Sequence, residues 1–414
     1  MNNQRICTAV VISPSWPIPN SGTGFAVTSA LRQYIDSFCG IHFVGLVDHP
    51  FVQRDLWYSY PIKFSHVPIK RYSRSIRFIL SLASQYPAIC WQFLGKKISD
   101  RIVGIIAEER RKDPRIVVIF EDLPIPMALL AIIRSRIPNL CVAVRSENVA
   151  SKIFVKLRSS GSYFHRFAWG IEIAKICKRE IMVRKLADQL WAISKNDLEE
   201  YKEHLNVQCD GVFSVSVDVN RYSLVPPGDS RTLVSIGTVD MRKSLGLQKF
   251  IEKSWPEVVR RYPTAKLLLG GANSEQFADL RMNVLALGRV GDDRDILSQG
   301  LIMLNTQEIG SGINLKSIVA MVSGKALVST QKGVEGIEGK AGEHFLVAPD
   351  VVSLAPLILE LMDNPDRARQ MGKAAQELAS TVYSEAHLSE QVQPLLRNLV
   401  LRACLKIDPS LFAV

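Results

Sequence analysis

Apolar and polar positions along this chain follow two regimes. Short β-rich apolar runs alternate with longer stretches in which apolar residues recur every three or four positions. The first series of runs is ICTAVVIS (6–13), IHFVGLV (41–47), RIVVIF (115–120), LCVAVRS (140–146) and DQLWAIS (188–194). Strands separated by helical patterns predict a parallel sheet covered by helices, hence one α/β domain. After the polar, Pro- and Gly-containing stretch SLVPPGDSR (223–231) the pattern restarts with TLVSIG (232–237), AKLLLGG (265–271), NVLALG (283–288), LIMLN (301–305) and KALVST (325–330). Two Rossmann-like domains follow, over 1–215 and 216–385. The segment NPDRARQMGKAAQELAS (364–380) sets Pro365 at a helix N1 position and repeats Ala368, Met371, Ala375 and Leu378 at helical spacing. HLSEQVQPLLRNLVLRACL reads as a final helix, within 386–414, returning to the first domain.

Composition narrows the class. A length of 414 residues suits two domains, and 47% hydrophobic with 22% charged residues excludes a mainly disordered chain. The formal charge of +11 calls for an anionic partner. Its clusters, RYSRSIRF (71–78), GKK (95–97), RRK (110–112) and CKRE (177–180), all fall in the first half. The stretch RYSRSIRFILSLASQYPAICWQFLGKK has two readings, an amphipathic surface resting on an anionic leaflet or a core helix pair with a solvated basic rim. No nucleic-acid-binding module is visible, so no nucleic-acid partner is expected. The seven cysteines lack a CxxC pair and the seven histidines lack HxxH or HExxH spacing, so neither a disulfide framework nor a metal site is expected. With no apolar run near the ~18 residues of a spanning helix, the expectation is a cytoplasmic protein, at most peripheral at the inner face of the membrane.

Three turns carry candidate phosphate chemistry. In GSGINLKSIVAMVSGKALVST (310–330) small residues precede a helix marked by Leu315, Ile318 and Val322 and stopped by Gly324. Such residues let an anion reach the free N–H groups of a first helical turn. In SPSWPIPNSGTGFAVTSALRQY the residues Gly22, Thr23 and Gly24 precede a helix starting near Phe25, without the GxGxxG of a dehydrogenase. In SIGTVDMRKSLGLQKFIEKSW, Arg242 and Lys243 stand at a helix start, where cations oppose the helix dipole unless an anion sits nearby.

These features, in this order, resemble the retaining glycosyltransferases of family 4, two-domain enzymes of the GT-B fold that take a sugar from a nucleotide diphosphate. The similarity is densest over 232–338. The family's G-R turn and K-G pair resemble IGTVDMRKSLG, where Lys243 matches the lysine and Thr238 takes the arginine's place. P-x-A-x-L-x-x-x-G resembles YPTAKLLLGG, and L-G-x-V-x-D resembles LGRVGDD. E-G-F-G-L-x-x-L-E-A-M-A is similar to SGINLKSIVAMV, and G-x-P-V-V-x-T-x-x-G-x-E-G to GKALVSTQKGVEG. A branch with G-S-G-I-R-L-K at the turn is the nearest. The first half is matched more loosely, by SGTGF, by VRSENVASKIF with Glu147 in a histidine's place, by ADQLWAISKND and by VSVDVNRY.

The resemblance implies an α/β GT-B architecture, two Rossmann-like domains facing each other across a cleft, with an acceptor-binding first domain and a nucleotide-sugar-binding second one. It implies no cofactor and no metal; the donor is a nucleotide-diphosphate sugar, the acceptor a glycan or lipid-linked molecule, and the context polysaccharide or glycoconjugate biosynthesis. Lys243 supplies the main cation to the diphosphate, Arg242 assists, and the N–H groups of Gly312, Ile313 and Asn314 form an anion nest. Arg289 and Val290 fall where the family's backbone contacts the nucleobase, while Gly22, Thr23, Gly24 and Arg145 belong to the acceptor or phosphate loops. Glu147 is either a sugar-hydroxyl ligand and base or a loop carboxylate paired with Arg145. Four departures stand out: Ser311 and Val319 where carboxylates would bond sugar and ribose hydroxyls, Thr238 and Glu147. They leave a rival, a non-catalytic GT-B subunit with a degenerate donor site. A sugar-nucleotide epimerase on the same fold should show carboxylates and histidines around the anomeric position, which this sequence does not display.

Overall fold

A computed structural model describes residues 7–18, 22–51, 57, 59–158, 163–239, 241–309 and 312–407, without the side chains of 22, 23, 74, 156, 157, 163–165 and 241–243. The chain divides into two compact units, Met1–Val215 with Ser389–Val414, and Ser216–Leu388.

The first unit is built on seven parallel strands: β1 (Thr8–Ser13), β2 (Gly40–Val47), β3 (Ile62–Pro68), β4 (Val117–Glu121), β5 (Cys141–Ser146), β6 (Gln189–Ala192) and β7 (Gly211–Val212). Their spatial order is β3-β2-β1-β4-β5-β6-β7. Its helices are α1 (Gly22–Ser37), α2 (Arg74–Leu82), α3 (Lys96–Lys112), α4 (Pro124–Arg136), α5 (Ala150–Arg158), α6 (Tyr163–Leu186) and α7 (Lys195–Leu205). Strands β1, β4 and β5 are apolar runs because helices cover both of their faces. Val118, Phe120, Val142 and Val144 meet Ile106, Leu130, Ile133 and Ile176 in one core. Strand β3, IKFSHVP, is a half-exposed edge strand and lacks the continuous apolar run that marks its neighbours.

The second unit has strands β8 (Asp229–Ile236), β9 (Lys266–Gly270), β10 (Val284–Gly288), β11 (Gly300–Asn305), β12 (Ala326–Thr330) and β13 (Phe345–Ala348), all parallel in the order β10-β9-β8-β11-β12-β13. Helices α8 (Val219–Tyr222), α9 (Met241–Lys253), α10 (Trp255–Arg261), α11 (Asp293–Leu297), α12 (Leu315–Val322), α13 (Leu354–Asp363) and α14 (Pro365–Val382) accompany it. Leu267, Leu304 and Val328 pack with Phe250, Trp255, Ile358 and Met371. Pro365 opens α14. Helix α15 covers Glu385–Leu405, and from Ser389 onward its residues belong to the first unit, where Gln189 Nε2 donates to Asn398 Oδ1 at 2.9 Å and Cys141 Sγ to Leu399 O at 3.5 Å.

Each sheet reverses its strand order once, between β1 and β4 in the first unit and between β8 and β11 in the second. In open parallel sheets, ligands bind outside the carboxyl ends of strands at such reversals. In this topology those carboxyl ends carry the loops leaving β1, β4, β8 and β11.

Candidate functional site

In the second unit the reversal joins α9 and α12 at their N-terminal ends. Strand β8 ends at Ile236, Gly237 turns with φ +107°, and α9 starts at Met241. Helix α9 lies so close to the end of β11 that a Cβ at Gly246 would stand 2.1 Å from Thr306 O. Lys249 of α9 also reaches Glu308 at 3.4 Å, and Glu308 Oε1 accepts from Val351 N–H at 3.1 Å. The first turn of α9, which carries Arg242 and Lys243, is thus held beside the loop running from β11 into α12. The side chains of Arg242 and Lys243 lie outside the described residues, as do Gly310 and Ser311 entirely.

A buried polar network shapes that loop. Asn305, fully buried at the end of β11, donates to Ser317 Oγ at 2.8 Å and Gly333 O at 3.2 Å, while its Oδ1 accepts from Gln307 N–H at 3.1 Å. Ser317 Oγ donates to the same Gly333 carbonyl at 2.6 Å, and Thr330 Oγ1 donates to Gln307 O. Gly333 is obligatory here, because a Cβ would meet Ser329 Oγ at 2.1 Å. Strands β11 and β12 and helix α12 therefore fix the turn together.

The turn itself passes through Gly312 at φ +74° to Asn314, the N-cap of α12. An N-cap Asn ordinarily accepts from a first-turn N–H. Here the Asn314 side chain makes no such bond and its Nδ2 donates to Gln307 Oε1 at 3.0 Å. A helix start without a side-chain cap, next to a left-handed glycine, is the kind of backbone setting in which anions bind. Val319 is 5% exposed in a helix whose residues from Ser317 to Val322 are all buried. It presents methyl groups and no hydrogen-bond acceptor. Thr238 is exposed in the loop after β8, Arg289 is exposed after β10 and Val290 is half-buried.

In the first unit the structure corrects two expectations. Helix α1 begins at Gly22, so Gly22, Thr23 and Gly24 form its first turn instead of preceding it. Gly24 permits a close approach, since a Cβ would stand 2.8 Å from Trp16 O and 3.1 Å from Ile18 O. Arg145 is not a loop cation and does not pair with Glu147. It sits on β5 with 0% exposure, bonded through Nη1 to Glu121 at 2.8 Å, through Nε to Phe213 O at 3.0 Å and through Nη2 to Ser214 O at 2.9 Å, over the Phe213 ring. Tyr34 O–H completes the Glu121 carboxylate at 2.6 Å. Each nitrogen of that guanidinium thus donates to the protein itself.

Two further carboxyls follow directly after β4 and β5. Asp122, absent from the sequence-based candidates, adopts φ +70°, a conformation Asp tolerates better than most residues, and donates its N–H to Arg145 O at 2.9 Å. Glu147 is 8% exposed. Burial pushes its carboxyl well above the ordinary carboxylate range, the Asp122 carboxylate adds to the rise, and Arg145 opposes it. Burial raises Asp122 as well, against the Leu123 N–H that its Oδ1 accepts at 2.8 Å. Two like charges in one buried place favour keeping a proton on the pair. Both carboxyls at this end of the first sheet therefore hold a proton more readily than an exposed carboxylate.

Asn305, Gln307, Thr330 and Gly333 were also absent from the candidates. Their one signal in the sequence is polar Asn305 closing the apolar run LIMLN, which carries no hint of its partners.

Comparison with known proteins bears on both units. Residues 230–364 match the family described as glycosyl transferases group 1. Among solved structures, sucrose-phosphate synthase from Thermosynechococcus elongatus superposes with a TM-score of 0.69 at 14% identity, over 95% of this chain and 99% of that one. Anabaena HepE in complex with UDP-glucose gives 0.65 at 12% identity, over 94% and 99%. The fold is GT-B. TarM shares this GT-B likeness at 0.67 and 10% identity, over 97% and 100%. No curated protein sequence matches the chain. The group 1 match covers the second GT-B unit from β8 to the end of α13, and so includes the uncapped start of α12 and the first turn of α9.

Proposed function

We propose that this protein is a glycosyltransferase that moves a sugar from a nucleotide-diphosphate donor to a glycan or lipid-linked acceptor, with retention of anomeric configuration, in polysaccharide or glycoconjugate biosynthesis. The observation that carries the reading is the start of α12, where an Asn at the capping position spends its side chain on Gln307 and leaves the first-turn amides uncapped beside α9. A diphosphate at this helix start, where no side chain caps, would gain roughly 1.5–3 kcal/mol for each charge-assisted bond it accepts.

In this reading the amides of Gly312, Ile313 and Asn314 and the ammonium of Lys243 stabilise charge growing on the leaving diphosphate, with Arg242 beside them. The acceptor oxygen bonds to the anomeric carbon as the carbon–oxygen bond to the diphosphate breaks, and the acceptor proton passes to a diphosphate oxygen. No side-chain nucleophile and no metal is assigned. In the first unit the Asp122–Glu147 pair bonds an acceptor hydroxyl, and in the second Arg289 with Val290 borders the base.

Calorimetric titration with a panel of sugar nucleotides, starting with UDP-glucose, tests the proposal. Saturable binding that Lys243→Ala weakens by at least about tenfold, the worth of one charge-assisted bond, supports it. Buried, apolar Val319 favours a second reading, a GT-B binding subunit without donor turnover. Absence of binding by every donor, in protein that melts cooperatively, decides for that alternative.

A further inference from the structure

Segments 68–99 and 149–171 contain ten Lys and Arg and no Asp or Glu. They build α2, α5 and the start of α6, which together carry seven of the sixteen large exposed apolar side chains among the described residues. Such side chains scattered singly need no explanation, but a cluster does. On α2, Ile79 is 64% exposed, with Ile76 and Leu82 also outside; on α6, Phe167 is 68% exposed, with Ile171 beside it in the next turn.

These helices form one platform. Phe78 of α2 and Phe154 of α5 both pack on Trp169 of α6, at 5.6 and 5.1 Å between ring centroids. Buried Glu172 accepts from Ser81 Oγ and from Ala88 N–H, each at 2.7 Å, and Lys175 Nζ donates to Ser81 O at 2.6 Å. The inner face of α2 is therefore already engaged, and the outer apolar residues cannot turn inward without breaking it. The core reading of the sequence holds for the second half of the stretch, where Cys90 and Phe93 are buried in the core, while α2 keeps an exposed apolar face. At nine residues α2 is about 14 Å long, far too short to span a bilayer, and no helix among the described residues is long and apolar enough to do so.

Charge selects the occupant. Lys70 and Arg71 lead into α2, Lys96 and Lys97 open α3, and exposed Arg158 and Arg166 flank the α5–α6 connection. Arg71 is partly neutralised by Asp48 at 2.8 Å. We propose that α2 and the start of α6 seat the first unit on an anionic lipid bilayer, with Ile79 and Phe167 entering the headgroup boundary and the basic collar meeting lipid phosphates. An in-plane amphipathic helix with a basic rim has this chemistry. Binding of this kind requires neither donor nor turnover, so it stands or falls apart from the proposed activity.

Sedimentation of the full chain with phosphatidylcholine vesicles, with and without phosphatidylglycerol, tests it. Binding is expected to the anionic vesicles, to fall as salt rises, and to be at least about tenfold weaker on neutral ones, since each basic side chain near the surface is worth about a factor of five. The double variant I79S/F167S should lower anionic-vesicle binding at least about tenfold, and K70Q/R71Q about fivefold or more. Leu224→Ser, at an exposed apolar residue of the other unit, should leave it unchanged. Thermal melts establish that the variants are folded. Equal binding to neutral vesicles, or no effect of I79S/F167S, overturns the proposal. So does a wild-type dimer that I79S/F167S dissociates, because the face then belongs to a second copy.

Discussion

Replacing Arg145 separates a structural cation from a ligand-binding one. Arg145 and Glu121 are both 0% exposed, and the guanidinium serves Glu121, Phe213 O and Ser214 O. Arg145→Met keeps much of the volume but leaves Glu121 with Tyr34 alone and strips both carbonyls of a donor. Breaking a buried pair from one side costs about 3–5 kcal/mol. At about 2–4 °C per kcal/mol for a unit of this size, melting of the full chain should fall by roughly 6–20 °C. Adding Glu121→Gln removes the orphaned charge and should restore roughly 1–3 kcal/mol. Thermal melts of wild type, single and double variants measure this, alongside sugar-nucleotide titration of each at a temperature where it is folded. An Arg145→Met protein that melts like wild type but loses ligand affinity would refute the structural assignment and return Arg145 to the binding machinery.

Asn305→Leu leaves Gln307 N–H and the Ser317–Gly333 pair without their partner, so calorimetry should show donor affinity at least about tenfold weaker and melts a loss of about 1–3 kcal/mol; unchanged affinity means the network does not shape the turn. Glu147→Gln tests the raised carboxyl. The folded protein binds more protons than the unfolded chain between the ordinary carboxylate range and the raised value, so stability falls as pH rises through that window. Urea midpoints across a pH series should decline less steeply in the variant, with Asp122 sustaining a remainder; equal slopes would sink the assignment. Val319→Glu places a carboxylate at a 5% exposed position, and the free protein should melt at least about 1 kcal/mol less stably. If ribose hydroxyls lie there, the shift in melting on adding donor exceeds that of wild type, and an equal shift excludes them.

The architecture was legible because most buried strands of both sheets announce themselves as apolar runs. VVISP, IVVIF and LIMLN cannot sit anywhere but inside. What escaped were edge strands whose identity comes from a neighbour: β3 is held by β2, β7 has only two residues paired with Trp191 and Ala192 of β6, and the four residues of β13 pair with no strand but β12. Site chemistry was legible where it belongs to the backbone, as in the small-residue turn ahead of α12. It was illegible where a side chain's role depends on a partner far along the chain. VRSEN suggests that Arg145 and Glu147, two residues apart, act together; alternation of side chains along β5 and the register with β4 give Arg145 to Glu121 instead. Asp122 was missed for the same reason, since only the fold brings it to Glu147.

Two asparagines show how the fold leaves α12 without a side-chain cap. At α14, Asn364 caps in the ordinary way, its side chain accepting from Arg367 N–H at 3.1 Å. At α12 the same residue type holds Gln307 and forgoes a bond worth about 1 kcal/mol. Burial of Ser317 through Val322 keeps the helix formed without it. On the proposed reading this arrangement explains how Ser311 and Val319 are tolerated. Backbone amides survive any substitution that preserves the turn, so recognition of the diphosphate persists when carboxylates for the sugar and ribose are missing. The departures then relax selectivity among donors instead of abolishing their capture, because the charge that dominates binding never depended on those two side chains.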